Sequence, residues 1–348
     1  RELIAQGSGN IASACVGGMP GAGQMGATLV NLASGGQTRL SGSLRSRGGS
    51  WPVLGPVRSG DIPEQAALKR ALEAFSLQAD GVAVTADAAG TRVALSQPAA
   101  IRPGTGGIVR ISALGGRPLF VTAASGASGG SLLIEAEGGG LPTARVEVPS
   151  YVMADSGLAA VIDGEAAFDF GLARGAALDA AGRLRIGGGR TTFEPAGCFP
   201  FRAALLDLGD NDVENLRAQI CPGPGPLLTI ANGWRFAGEV RDVNASVPFL
   251  GMTVTEASGP VTARDTGAGL TIDANVRDGL ISDASPETRF HPMRGSGRVT
   301  LTDQNWVGAM NLRDRAHGRR DADVEIHHAG RTGTGGVRFD ATGLEFTP

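Results

Sequence analysis

The chain has 348 residues, a formal net charge of -3, 42% hydrophobic residues and 55 glycines. The near-neutral charge excludes nucleic acid as a partner driven by bulk charge, and no run reaches the roughly 18 apolar residues of a membrane helix. The apolar content excludes a disordered chain, and glycine does not recur at every third position, which excludes collagen.

The chain opens at Arg1 in mid-pattern and reads as part of a longer protein, so the lack of a targeting signal carries no information. The first predicted element is a short helix near 62–76. Asp61 is placed to cap it and Pro63 suits its first turn, while Leu68, Leu72 and Phe75 share one helical face. From there on, polar and apolar residues alternate with period two. Ser131-Leu132-Leu133-Ile134 reads as a strand, and Arg145-Val146-Glu147-Val148 and Arg183-Leu184-Arg185-Ile186 alternate strictly. A brief helical turn is predicted over 211–218. The stretch Pro222-Gly223-Pro224-Gly225-Pro226 stops any strand and is a possible sub-boundary. Alternation resumes at Leu270-Thr271-Ile272-Asp273, Arg298-Val299-Thr300-Leu301, Asp323-Val324-Glu325-Ile326 and Val337-Arg338-Phe339. Glycine-rich turns such as Gly138-Gly139-Gly140, Gly187-Gly188-Gly189 and Arg294-Gly295-Ser296-Gly297 separate these segments, and glycine supplies the positive φ that tight hairpins need. The expected fold is all-β: an elongated, twisted antiparallel sheet curled into an open groove, a single segment over 1–348.

Chemistry-bearing residues are sparse. Of Cys15, Cys198 and Cys221, the last two bracket 22 residues that include an acidic run. In an oxidising compartment they pair; otherwise they are two small hydrophobes in strands. Asp207, Asp210, Asp212 and Glu214 supply oxygens, but the spacing of an EF-hand loop is missing and no metal is expected. His327 and His328 are adjacent, so in a strand they point to opposite faces. His291 lies beside Pro292 in a predicted loop, and no catalytic or metal role is expected of it or of His317. Lys69 is the only lysine and no glycine immediately precedes it, which rules out a Walker loop. Gly126-Ala127-Ser128-Gly129-Gly130 matches a nucleophile elbow, but a strand follows it where that motif opens a helix. No catalytic residue, cofactor or metal is therefore expected, and the chain is not expected to be an enzyme.

A sheet with a long apolar face must have that face covered, by a second sheet, by its own coiling, or by lipid. Acyl chains in a trough stand in for missing core atoms at about 0.8 kcal/mol per buried methylene.

Several segments resemble the YdbH-like proteins, which belong with the AsmA-like and TamB-like envelope proteins of Gram-negative bacteria. They are Arg183 to Arg190, Phe193 to Cys198, Leu206 to Leu216, Ile220-Cys221-Pro222, Val247-Pro248-Phe249-Leu250 and Glu287-Thr288-Arg289-Phe290. The resemblance implies a periplasmic protein, held at the inner membrane by a segment outside this chain, that conducts phospholipid between inner and outer membranes. Its implied partners are acyl chains and envelope proteins at each membrane. The lining it implies is Leu184, Ile186, Leu270, Ile272, Val299, Leu301, Val324 and Ile326, and a periplasmic setting favours the Cys198–Cys221 bridge. The alternatives are a secreted β-solenoid adhesin or fibre without lipid transport, and a β-helix enzyme acting on polysaccharide, for which only the acids from Asp207 to Glu214 come near a site.

Overall fold

The computed structural model describes residues 38–47, 57, 66–67, 69–70, 75–87, 90–123, 128–154, 156–209, 211–266, 269–314, 321–330 and 332–341. They form a single antiparallel sheet of 21 strands, so the all-β class holds. The first nine are β1 (Thr38–Arg47), β2 (Phe75–Asp87), β3 (Gly90–Leu95), β4 (Ala99–Pro103), β5 (Ile108–Ser112), β6 (Phe120–Ala123), β7 (Ser128–Glu137), β8 (Thr143–Ala154) and β9 (Gly157–Phe170). Then come β10 (Ala173–Gly187), β11 (Arg190–Pro195), β12 (Phe199–Leu206), β13 (Val213–Pro222), β14 (Leu228–Ala231) and β15 (Gly233–Val247). The last six are β16 (Met252–Asp265), β17 (Leu270–Asp283), β18 (Met293–Thr302), β19 (Asn305–Asp314), β20 (Asp321–Ala329) and β21 (Thr334–Ala341).

Two sequence expectations need correction. Ala66, Ala67, Lys69 and Arg70 are helical, but Phe75 opens β2, so the helix does not run on to 76. Leu68 and Leu72 lie outside the described residues. The 211–218 segment is not helical: from Val213 it is strand β13, where pairing on both edges overrides a weak local preference.

The chain divides into two compact units. The first comprises Arg1–Ala166 with Arg183–Gly189, and the second Ala167–Gly182 with Arg190–Pro348. The stiff 222–226 stretch lies inside the second.

One strand plan occurs twice. In the first unit, the long β2 pairs with β3 along Val82–Asp87 and with β4 along Phe75–Gln78. β3 and β4 then pair with β6 and β5, and both of those pair with β7. In the second unit, β12 pairs with both β10 and β13, β11 pairs with β14, and β13 and β14 both pair with β15. The corner between the short strands is fixed in the same way each time. Ser96 N–H donates to Gly81 O at 3.0 Å, and Ala196 N–H donates to Ala181 O at 2.8 Å. Gly81 is obligatory at its corner: its φ is +70°, and a Cβ there would stand 2.0 Å from Ser96 Oγ. The first unit buries Phe75, Ala79, Val93, Ala99, Ile101 and Val148.

From β15 onward the second unit is a simple meander, β15 to β21, each strand antiparallel to the next. Bulged residues interrupt β15, β16 and β17 at Asp242, Glu256 and Asp278, all with positive φ of 51°, 57° and 51°. Arg294 on β18 ties two of them together. Its guanidinium donates to Glu256 Oε2 at 2.7 Å and to Asp278 O at 3.1 Å, and the Glu256 hydrogen bond, more than the nearby charges, raises its pKa.

Candidate functional site

Register in the meander sorts the side chains onto two chemically distinct faces. Residues directly opposite each other in antiparallel strands share a face. Ile272 stands opposite Ala263 on one side and Leu301 on the other, Leu301 opposite Trp306, and Trp306 opposite His328. The next row reads Val261, Ala274, Val299, Gly308, Ile326 and Val337, and Met310, Val324 and Phe339 follow on β19, β20 and β21. Leu270, Ile272, Val299, Leu301, Val324 and Ile326 therefore lie on one face across β17, β18 and β20. Leu184 and Ile186 lie in the first unit's share of β10, half-buried and on one side of that strand.

Alternation misses other members of the apolar face, and the bulges are the reason. An extra residue in one strand shifts the period by one. On β17 the face runs Leu270, Ile272, Ala274 and Val276, then resumes at Gly279 and Ile281 beyond Asp278. On β15 it runs Trp234, Phe236 and Val240, then Val243 and Ala245 beyond Asp242. The signal for this was a carboxylic residue between two apolar residues spaced three apart, as in Val240–Val243 and Val276–Gly279.

Coverage of this face is uneven. Leu301 is 1% exposed, and Ile281, Leu312, Ala322 and Val324 form a buried cluster with Met293 and Met310 against it. A second cluster joins Ala180, Phe199, Ile220 and Leu227 with Phe193, Phe201 and Phe236. Ile272, Val299 and Ile326 are half-buried, while Val337 and Phe339 are 50% and 60% exposed. Beside Leu301 and Leu270 a recess of about 360 Å³ opens toward Asp207, Gly209, Asp303 and Gln304. The Phe249 ring lies 6.4 Å from that of Trp306 and 5.8 Å from that of His328. Among the described residues Trp306 Nε1, His328 Nε2 and both polar atoms of the buried Asn211 have no hydrogen-bond partner.

The opposite face is polar and cross-linked. Arg298 bonds Asp273, whose hydrogen bond raises the arginine pKa, and Arg277 meets Glu239 at 3.1 Å. Such exposed pairs contribute little stability individually.

Cys198 and Cys221 form a disulfide with a Cα–Cα distance of 4.0 Å at the end of the β12–β13 pair. The acidic run is a turn: Asp212 Oδ1 accepts from Leu208 N–H at 2.8 Å, Asp207 lies 3.8 Å from Arg174, Glu214 is exposed on β13, and Asp210 falls outside the described residues. Among the described residues no three His, Cys, Asp or Glu side chains are grouped to hold a metal ion. His327 and His328 occupy opposite faces of β20, His291 lies in the β17–β18 connection, and His317 and Cys15 lie outside the described residues. Ser128, the serine of the elbow-like match, opens strand β7.

Two segments far apart in sequence meet at Arg289. Its guanidinium donates to Leu250 O at 3.0 Å, Gly251 O at 2.8 Å and Asp283 Oδ1 at 2.8 Å. Gly251, at φ +61°, avoids the strain of a left-handed side chain, and a Cβ there would stand 2.9 Å from Arg289 Nη2. The Arg289 side chain, joined by its backbone N–H and that of Ser285, holds the Asp283 carboxyl well below the ordinary aspartate value of 3.8; burial opposes this shift and is outweighed. A depressed carboxylate pKa adds stability above the unfolded-state value and loses it as pH falls toward the folded one. Acid unfolding of wild type is thus expected to steepen below about pH 4, and Arg289→Ala is expected to flatten that dependence while lowering stability at pH 7. Equal pH profiles in urea titrations of the two proteins would refute this.

Comparison with known proteins finds similarity at the N-terminus. Residues 1–46 match the Sulfate permease family. The chain is 50% identical over 46 residues to the Bicarbonate transporter BicA of Synechocystis sp. (strain ATCC 27184 / PCC 6803 / Kazusa), a stretch that is 13% of this chain and 8% of that protein. No solved structure matches. The resemblance to YdbH-like, AsmA-type proteins is therefore corrected: the family that matches is a different one. With it go the family-drawn themes of intermembrane phospholipid transport, cell-envelope biogenesis and an inner-membrane anchor. The physical reason is that alternating residues with glycine turns arise in any half-buried antiparallel sheet, so such motifs do not mark one family. No helix among the described residues is long and apolar enough to cross a membrane.

Proposed function

We propose that the apolar face of the second unit binds acyl chains along its half-buried and exposed members, Leu270, Ile272, Val299, Ile326, Val337 and Phe339. The observation that carries this reading is the uneven coverage of a largely apolar face: Leu301 is sealed, whereas Val337 is 50% and Phe339 60% exposed. A contiguous apolar surface left open in this way favours an apolar ligand, each methylene it buries contributing about 0.8 kcal/mol. Trp306 Nε1 and His328 Nε2, buried with no partner among the described residues, offer hydrogen bonds to the first polar group of such a ligand. No energy source or cofactor enters. The disulfide favours an oxidising compartment, of which the periplasm is one. A fibre or adhesin without lipid needs a face sealed by protein, and the half-exposed rows weigh against it.

The test is titration of the full chain with a fluorescent fatty acid, alongside lipid extraction of the purified protein. Ile272→Asp puts a charge among half-buried apolar neighbours and is expected to weaken binding at least about tenfold. Val307→Asp is the control, because Val307 is 49% exposed and, one residue from Trp306, points to the opposite face; binding there is expected to be unchanged. Equal effects of the two substitutions, or no saturable binding by wild type, would rule out the acyl-binding face.

A further inference from the structure

On the polar face, several arginines meet carboxylates across strands. Arg145 stands opposite Glu135 and bonds it, Arg338 stands opposite Glu325, and Arg298 bonds Asp273. Arg235 on β15 does not. It stands directly opposite Arg264 on β16, and both are exposed. Among the described residues neither guanidinium has a hydrogen-bond or ion-pair partner. Like charges directly opposite in a sheet are destabilising.

The surroundings explain what offsets the repulsion. The row continues through Thr229 beside Arg235 and Thr271 beside Arg264, with Thr192 and Thr302 one strand further out on each side. Thr262 precedes Arg264 on the same side of β16. The one carboxylate diagonal to the pair, Asp273, is already bonded to Arg298. Two uncompensated guanidiniums are thus framed by hydroxyl donors, with no free acid in the row. Planar guanidinium forks match the paired oxygens of a phosphoryl group, and hydroxyls complete its coordination.

We propose that Arg235 and Arg264, with Thr229 and Thr271, form a binding site for a phosphoryl group on the face opposite the apolar rows. The site does not rest on the acyl-binding reading. Arg202 and Arg217 also stand opposite each other with no partner among the described residues, but Ala177 and Asn244 flank them where the first pair has threonines, which makes them the control for diffuse charge.

Thermal unfolding of the full chain is followed as inorganic phosphate replaces chloride at constant ionic strength. Wild type is expected to show a saturable rise in melting temperature. Arg264→Gln should weaken the phosphate dependence at least about tenfold, since it removes one of two charged forks, and Arg217→Gln should leave it unchanged. Without phosphate, Arg264→Gln should melt no lower than wild type, because it relieves repulsion; this separates loss of the site from loss of the fold. A non-saturable response, or equal weakening by Arg264→Gln and Arg217→Gln, would overturn the proposal. Flotation with phosphatidylglycerol vesicles, against phosphatidylcholine vesicles, identifies the source once the phosphate response is established. Capture lost in Arg264→Gln marks a lipid headgroup, and no capture beside an intact phosphate response marks a soluble phosphate ester.

Discussion

Replacing Leu301 by aspartate is expected to abolish cooperative folding of the second unit, and replacing it by alanine to cost about 3 kcal/mol. Leu301 is 1% exposed and stands between Ile272 and Trp306 in register. Among the described residues no Lys or Arg shares the rows beside it, and a carboxylate there would lose its hydration, a cost beyond the usual range of single substitutions. Val307→Asp, on the exposed opposite face of the same β18–β19 pair, should change stability by less than about 0.5 kcal/mol. Urea unfolding of the three variants checks both values. If Leu301→Ala and Val307→Asp shift the midpoint equally, the two-faced reading of the meander is wrong. The consequence for function is practical: Leu301 is sealed too well to probe ligand binding, and half-buried Ile272 is the position that can.

The second large effect is expected at the disulfide. Its cysteines are 23 residues apart in sequence, and closing a loop of that size contributes about 3 kcal/mol in the chain-entropy account. Phe199 and Ile220, the direct neighbours of Cys198 and Cys221, stand opposite each other and pack in the cluster with Ala180 and Leu227. The bridge therefore ties to a packed core the end of the β12–β13 pair that lies away from the turn at 207–209. Cys198→Ser combined with Cys221→Ser should lower unfolding stability by that amount, and a reductant should do the same to wild type and nothing to the double variant. An unchanged midpoint in the double variant would show that packing alone holds this end of the pair.

Much of the architecture was legible in the residue order because a strand's two faces need nothing beyond neighbours two apart. Alternation over Leu270 to Val276, Arg298 to Leu301 and Asp323 to Ile326 fixes which side chains share a side, and glycine and proline fix where strands stop. Pairing between the two cysteines was open to sequence reasoning as well, although not its position against a packed cluster. The helical turn over 211–218 failed because Val213 to Pro222 is held by β12 on one side and β15 on the other, and propensity is weak beside two ladders of hydrogen bonds.

Register and bulge position belonged to the tertiary structure. A single extra residue at Asp242, Glu256 or Asp278 returns the next apolar side chain to the face it would otherwise leave, and no local pattern says which strand will carry that residue. The same holds for every encounter across strands. Sequence order alone gives no sign that Arg235 and Arg264 meet; pairing of β15 with β16 makes them neighbours. Composition and alternation thus determined that this chain would be a two-faced β-sheet. Which side chains meet on each face was decided by long-range hydrogen bonding, because contact between strands depends on register, and register is a property of the pair.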